Sequence, residues 1–138
     1  MKRIWAIAVL ACLVLLLGCL PWGSVPRLAG FTFGEGSCSA GGETAQASAG
    51  PGALSFSGSF AAPTPCHRLK AVLQKIASQH QIVLSIVQEE LATPCGQCLA
   101  LIPYSGWIEG LGPGRWHVRV YHQDRKVLQG EFNVPAAP

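Results

Sequence analysis

The residues in this sequence best suited to chemistry are two cysteines in a C-x-x-C spacing, Cys95 and Cys98. Two thiols at this spacing form the active dithiol of many oxidoreductases, in which a helix N-terminus lowers the pKa of the first thiol. Here an apolar run, Leu99–Ile102, and then Pro103 follow, which is typical of a strand that ends in a turn. Because side chains three residues apart on a strand point to opposite faces, we expect the two cysteines to have different partners.

A metal site is a second interpretation of the same region. Cys66, His67, Cys95 and Cys98 form a Cys3His set whose ligand types suit zinc. Cys66 and His67 are adjacent in sequence, however, and neighbouring side chains on a strand diverge, so both would not easily face one ion. We therefore predict structural disulfides and no metal site. Thiol-redox or metal-binding chemistry at Cys95 and Cys98 is kept as the alternative function.

The four histidines do not indicate a catalytic arrangement. His117 and His122 fall on or near the polar face of a predicted C-terminal hairpin, where such side chains are usually solvated. The sequence has no G-x-S-x-G or H-E-x-x-H motif, and its adjacent acids Glu89 and Glu90 lie beside a turn. We predict no catalytic residue and no cofactor, so we do not expect the protein to be an enzyme.

The N-terminal segment indicates export. Lys2 and Arg3 precede an unbroken apolar run over residues 4–17, which is the arrangement of a secretory signal. An ordinary cleaved signal and a retained transmembrane helix are both alternatives, since about 17 apolar residues is the lower limit for crossing a bilayer. Each interpretation places the residues after position 20 outside the cytoplasm.

The end of this segment resembles a known type of export signal. The LLGC at Leu16–Cys19 is similar to the lipobox of bacterial lipoproteins. This resemblance implies that residues 1–18 are removed and that Cys19 carries the lipid, with acyl chains such as palmitate. The protein would then be held in the cell envelope, with the membrane as its partner through the N-terminal lipid.

Charge and cysteine content restrict the possible partners and the redox environment. Without Lys2 and Arg3 the basic residues fall from 10 to 8 against 7 acidic ones, a net charge of +1 with no basic run. We therefore predict no nucleic-acid partner. Outside the signal and the lipidation site, the cysteines are Cys38, Cys66, Cys95 and Cys98. An even number in a small exported domain indicates two disulfides, with three possible connectivities.

Residues 19–52 and residues 53–134 differ in composition. The first segment is dominated by Gly, Ser, Ala, Pro and Thr, and buries too little apolar surface to offset the entropy of ordering its backbone. We predict a flexible tether there, with Cys38 near its middle. The second segment contains apolar and polar residues in alternation, with turn signals every 8–12 residues. It predicts an all-β domain, a small antiparallel β-sandwich of about seven strands, followed by a disordered tail over residues 135–138.

Three details of the strand pattern lead to specific expectations. Residues 67–79 fit both a helical face and a strand, and we interpret the stretch from there to Leu91 as two strands. Pro103 is expected to end one strand before a separate short run at residues 107–111. The large aromatic side chains are expected in the core. They are Tyr104, Trp107, Trp116 and Phe132.

Three motifs in the second segment carry a family resemblance. They are PTPCH at Pro63–His67, CGQ at Cys95–Gln97 and PYSGWIEGLGPGRWHVRVY at Pro103–Tyr121. Together they resemble a group of small exported prokaryotic proteins with PTPCH, a C-x-Q some thirty residues later and a final L-x-P-G-x-Y/W-x-V-x-V hairpin. The resemblance covers roughly residues 53–134 and implies an immunoglobulin-like or fibronectin-like sandwich. Most members have no assigned biochemical role.

From these observations we predict a disulfide between Cys66 and Cys95 and a second one between Cys38 and Cys98. Cys38 and Cys98 depart from the family pattern, in which an aliphatic residue is usual at the position of Cys98. The expected function is that of a membrane-tethered envelope lipoprotein. Its β-sandwich would be a non-catalytic structural or protein-interaction module, with another envelope protein as a possible partner.

Overall fold

The computed structural model describes residues 25–76, 79–89 and 95–138. Within these ranges the chain forms nine β-strands and no α-helix, which confirms the all-β prediction. Six of the strands lie in residues 53–134, where about seven were expected, and three lie before them. The strands are β1 (Arg27–Phe33), β2 (Ser37–Cys38), β3 (Thr44–Gly50), β4 (Ala53–Ala62), β5 (Arg68–Ile76), β6 (Gln81–Glu89), β7 (Ala100–Glu109), β8 (Gly114–His122) and β9 (Arg125–Val134). No helix among the described residues is long and apolar enough to span a membrane. The predicted signal, Cys19 and Glu90 lie outside the described residues.

The strands form the two sheets of a β-sandwich. In the first sheet the order is β1–β7–β4–β3, and β2 pairs with the same edge of β7 as β1 does. In the second sheet the order is β5–β6–β8–β9. The predicted antiparallel arrangement contains one parallel pair, between β6 and β8. It arises because the chain leaves the second sheet after β6, passes through the first sheet as β7 and returns as β8.

Alternation along the strands builds the core between the two sheets. In β7 the even-numbered residues from Ala100 to Ile108 are buried, and the odd-numbered ones are exposed or half-buried. Strands β6 and β8 alternate in the same way. Tyr104 and Trp116 are buried as predicted, and Phe132 packs partly buried against the core. Burial of each large apolar side chain stabilises the fold by about 1.5–3 kcal/mol.

A glycine in β4 makes room for a tyrosine in the core. Gly58 is opposite Tyr104 in the β4–β7 pair, and a Cβ atom at Gly58 would lie 2.5 Å from the Tyr104 hydroxyl oxygen. The rings of Phe31 and Phe56 pack beside Tyr104, with centroids 6.2 and 6.4 Å from its ring. A larger residue at position 58 would therefore push Tyr104 out of the core.

The prediction of a flexible tether over residues 19–52 was wrong for residues 27–50, which contain β1, β2 and β3. In β3 the alanines at 45, 47 and 49 are half-buried, and the polar residues between them are exposed. Phe31 of β1 packs against the core. These strands bury little apolar surface themselves. They are ordered because β1 pairs along β7 and β3 pairs along β4, which satisfies their backbone hydrogen-bonding groups.

The two ambiguous stretches are both strands. The segment that fitted either a helix or a strand forms β5, antiparallel to β6. Pro103 does not end a strand but lies inside β7. Its carbonyl accepts a hydrogen bond from the Gly34 N–H, so its nitrogen faces the gap between β1 and β2. The missing N–H removes the possible reciprocal bond to the Gly34 carbonyl, but the pairing of β7 with β4 continues through Pro103. After β9, the Pro135 carbonyl accepts a hydrogen bond from the Gly52 N–H.

The structure contains two disulfides, and their pairing agrees with the predicted one. Cys66 lies between β4 and β5 and is joined to Cys95, which lies between β6 and β7, with Cα atoms 6.1 Å apart. This bond connects two segments that each pass from one sheet to the other. Cys38 of β2 is joined to Cys98, with Cα atoms 5.7 Å apart. The segment that leads into β7 is therefore fastened at both Cys95 and Cys98.

Removing each disulfide separately should destabilise the domain. Without the Cys66–Cys95 bond, which spans 29 residues, we expect the Cys66→Ser/Cys95→Ser protein to lose about 3.5 kcal/mol of unfolding free energy. The bond of Cys38 and Cys98 spans 60 residues, and its removal should cost about 4 kcal/mol because a longer loop is released. Denaturant unfolding checks both values. Peptide mapping without reduction provides the control, and a Cys95–Cys98 link or free thiols would contradict the pairing.

Candidate functional site

The cysteines of the C-x-x-C motif are not paired with each other. Cys95 and Cys98 each form a disulfide with a cysteine outside the motif, so the motif holds no free dithiol. His67 lies beside Cys66, but its Nδ1 is 2.7 Å from the Thr64 hydroxyl. Among the residues that the structure describes, no three His, Cys, Asp or Glu side chains are grouped so that they could hold a metal ion.

The remaining histidines occupy different environments. His80 stacks on Trp116, with ring centroids 4.6 Å apart. His117 is exposed on the second sheet, as predicted, with its Nδ1 3.3 Å from Glu131. For His122 the prediction of a solvated position was wrong, since it is only 2% exposed. It has the same parity along β8 as the buried Trp116 and Val118, and this alternation was the signal that placed it inside.

His122 belongs to a polar cluster that connects the two sheets and extends from the core to the surface. The Tyr104 hydroxyl of β7 lies 2.7 Å from His122 Nε2 at the end of β8. On the other side of the imidazole, Nδ1 lies 3.4 Å from a carboxylate oxygen of Glu43. Glu43 also accepts a hydrogen bond from the Ala61 N–H and pairs with Arg125 at the start of β9. We refer to Tyr104, His122, Glu43 and Arg125 as the polar cluster.

Burial keeps the two ring systems of the polar cluster uncharged at neutral pH. Desolvation lowers the pKa of His122 to about 4 and raises the pKa of Tyr104 to about 12. The Tyr104 hydroxyl and His122 Nε2 share one hydrogen bond, whereas the buried Nδ1 faces Glu43 at 3.4 Å without making a hydrogen bond to any described residue. Both rings are enclosed in the core, which makes the cluster a structural connection.

The accessible candidate site lies on the outer face of the first sheet and is centred on Trp107. The core prediction for this residue was wrong, since Trp107 is 48% exposed. Its odd-numbered position in β7 directs it away from the core. The side chains around it form a shallow groove of about 440 Å³. We call this surface the Trp107 face, which consists of Trp107, Gln46, Ser48, Ser55, Ser57 and Ser105.

The indole of Trp107 is held over the backbone of a neighbouring strand. Gly30 of β1 is opposite Trp107 in the β1–β7 pair. A Cβ atom at Gly30 would lie 2.5 Å from two carbons of the indole six-membered ring. The ring therefore occupies the space that a side chain at position 30 would fill, and only glycine permits this position.

A row of polar side chains, which we call the polar row, crosses strands β1, β7, β4 and β3 beside the indole. In register order it runs from Thr32 of β1 through Ser105 of β7 and Ser57 of β4 to Gln46 of β3. The Thr32 and Ser105 hydroxyl oxygens are 3.3 Å apart, and the Gln46 amide donates a 2.9 Å hydrogen bond to the Ser57 hydroxyl. No charged side chain is present among the described residues that line the groove.

Sequence reasoning missed this surface for two reasons. Gln46 and Ser48 fell in the segment assigned to the tether, although polar residues alternate with alanine from Thr44 to Ala49. Trp107 was expected in the core because of its size alone. Its position three residues after Tyr104 is a signal that the two aromatic rings lie on opposite faces of one strand.

The neutral form of His122 should make stability depend on pH. Because the folded protein binds a proton on His122 less tightly than the unfolded chain does, stability is complete above pH 6.5 and falls as pH drops toward 4. Protonation of His122 should lower the unfolding free energy by about 3 kcal/mol. The titratable or charged groups around the imidazole are Tyr104, Glu43 and Arg125.

Denaturant unfolding between pH 7 and 4 measures this dependence. His122→Gln should remove the part of the slope that belongs to the imidazole. As a matched control, His117→Gln replaces an exposed histidine of the same strand and should leave the slope unchanged. A wild-type slope retained in His122→Gln would contradict the assignment.

Comparisons with known protein families, with curated protein sequences and with solved structures found no match for this chain.

Proposed function

We propose that the protein is an exported lipoprotein whose disulfide-bonded β-sandwich acts as a non-catalytic binding module in the cell envelope. The observation that carries this proposal is the Trp107 face. A large aromatic side chain is half exposed there, on a rigid sheet and among small polar side chains. Exposed aromatic side chains of this kind supply much of the binding free energy in recognition sites.

The two disulfides support the location. Both are consistent with an oxidising, exported compartment. The lipobox-like LLGC ending at Cys19 supports a lipid anchor. Only seven residues, 20–26, separate Cys19 from the start of β1, and they can span at most about 25 Å. The anchored domain would therefore stay close to the membrane surface.

The roles of the reactive side chains support a non-catalytic module. The thiols of the C-x-x-C motif are used in disulfides. Tyr104 and His122, which have the largest pKa shifts, are enclosed between the sheets and contact each other. Tyr104 and His122 hold the two sheets together, whereas the Trp107 face is accessible from solvent.

The lipid anchor is tested by Cys19→Ser. The wild-type mature chain should begin at an acylated Cys19 and partition into detergent, because several acyl chains hold firmly at about 0.8 kcal/mol per CH₂. The Cys19→Ser protein should still be exported, but should lack the acyl mass and move toward the soluble fraction. Mass spectrometry of the N-terminal peptide and phase partitioning measure both effects. A wild-type chain that begins after Cys19, or one that keeps its apolar segment uncut, would contradict lipidation.

The binding role is tested by Trp107→Ala in the full lipoprotein, solubilised in mild detergent. Retention on immobilised envelope fragments should weaken by about tenfold, as expected for loss of an aromatic anchor. Val72→Ala removes an exposed apolar side chain from the outer face of the second sheet and should bind like wild type. Val72→Ala should unfold within about 0.5 kcal/mol of wild type, since the change is at the surface. Trp107→Ala also loses the buried half of the indole, so denaturant unfolding of both variants checks that each is folded where binding is compared. Equal retention of wild type and Trp107→Ala would overturn the proposal.

A further inference from the structure

We infer that the Trp107 face binds an uncharged glycan, with one pyranose ring stacked on the indole and neighbouring sugar hydroxyls bound by the polar row. This inference rests on the proposed binding function of the same face and names the chemical class of its ligand. Three independent properties of the surface lead to it: the placement of the indole, the type of polar side chain around it and the distribution of charge.

The indole provides a flat apolar platform. Because its six-membered ring rests in the space above Gly30, Trp107 lies along the sheet and is fixed in place before a ligand arrives. Nearly half of its surface remains in contact with solvent. The apolar C–H face of a pyranose ring complements the electron-rich face of an aromatic ring. A fixed ring also loses little conformational entropy on binding.

The surrounding side chains match the hydroxyl groups of a sugar. Each serine hydroxyl has one donor and two acceptor positions, and a glutamine amide has two donors and an acceptor. The Gln46–Ser57 and Thr32–Ser105 contacts orient these groups but use only part of that capacity. Ser48 and Ser55 share the register row of Trp107, on the side of the indole away from Gly30. A ligand whose hydroxyl groups both donate and accept fits this set.

The distribution of charge selects an uncharged polymer. The groove contains no charged lining residue, and the nearest ionic side chains beyond it, Arg27 and Glu109, pair with each other. A protein partner would require a larger apolar centre with several anchors. Of the two large aromatic residues that line the groove, Phe56 is buried in the core and only Trp107 is exposed. An anionic membrane surface would require a cluster of Lys or Arg side chains. A neutral glycan requires neither.

Binding is measured with a panel of neutral oligosaccharides that includes the hexamers of β-1,4-linked N-acetylglucosamine and of β-1,4-linked glucose. We expect the wild-type lipoprotein in detergent to bind at least one member by calorimetry. Trp107→Ala should weaken that binding by about tenfold or more. Val72→Ala, on the other sheet, should leave it unchanged.

A glycine variant tests the platform without removing the indole. Gly30→Ala places a Cβ atom 2.5 Å from the indole carbons, so the ring must move and glycan binding should fall although Trp107 is present. Gly50→Ala is the matched control, because Gly50 lies in the same sheet and a Cβ atom there meets nothing within 4 Å. Equal glycan affinity of Gly30→Ala and Gly50→Ala would overturn the stacking geometry.

Treatment of the envelope fragments separates this inference from the proposed function. Competition by the oligosaccharide that binds in calorimetry should abolish Trp107-dependent retention, and protease treatment of the fragments should preserve it. Retention that depends on Trp107 but survives this competition and is lost after protease would overturn the glycan ligand and leave the binding function standing. Failure of the wild-type protein to bind any member of the panel would also overturn the glycan ligand. Retention that is independent of Trp107 would overturn both.

Discussion

The position of β7 is the constraint on which the other features of this protein depend. It is the strand that pairs with β4 on one edge and with β1 and β2 on the other. Its even-numbered side chains contribute Tyr104 and Ile108 to the core, and its odd-numbered ones contribute Ser105 and Trp107 to the outer surface. A register slip of one residue would exchange the two sets. Core and binding surface are therefore fixed by one set of backbone hydrogen bonds.

Two further interactions maintain that position. The disulfides of Cys95 and Cys98 hold the chain where it enters the first sheet, so the start of β7 is fixed covalently. The polar cluster then connects β7 to the second sheet through the contact of Tyr104 with His122. A buried polar pair adds little net stability compared with an apolar pair. It does specify the arrangement, since a shifted sheet would leave both groups without partners in an apolar interior.

The shape of the outer face of the first sheet depends on β1 and β3, two strands that are not stable by themselves. Strand β3 consists of small residues, and β1 contains the glycine over which the indole lies. Neither would fold alone, but on β4 and β7 they widen the sheet from two strands to four. Small residues suit this position, because they leave the groove shallow and let Trp107 and Gln46 define its surface. The segment nearest the proposed lipid anchor is thus part of the binding surface.

The sequence by itself predicted an export signal, and it determined the all-β class and most strands of residues 53–134, because alternation, turn residues and cysteine number are local properties. The strand end predicted at Pro103 was wrong, because the pairing of β7 with β4 continues through that residue. Tyr104 and Trp107 were both expected in the core, but they lie three residues apart in one strand and therefore face opposite ways. Only the tertiary structure decided which of them is buried. That choice depends on Gly58 and Gly30, which lie far away in sequence and leave space for one ring in the core and the other on the surface. Likewise, residues 27–50 become ordered only by pairing with strands that follow them, which no local pattern of Gly, Ser and Ala could reveal.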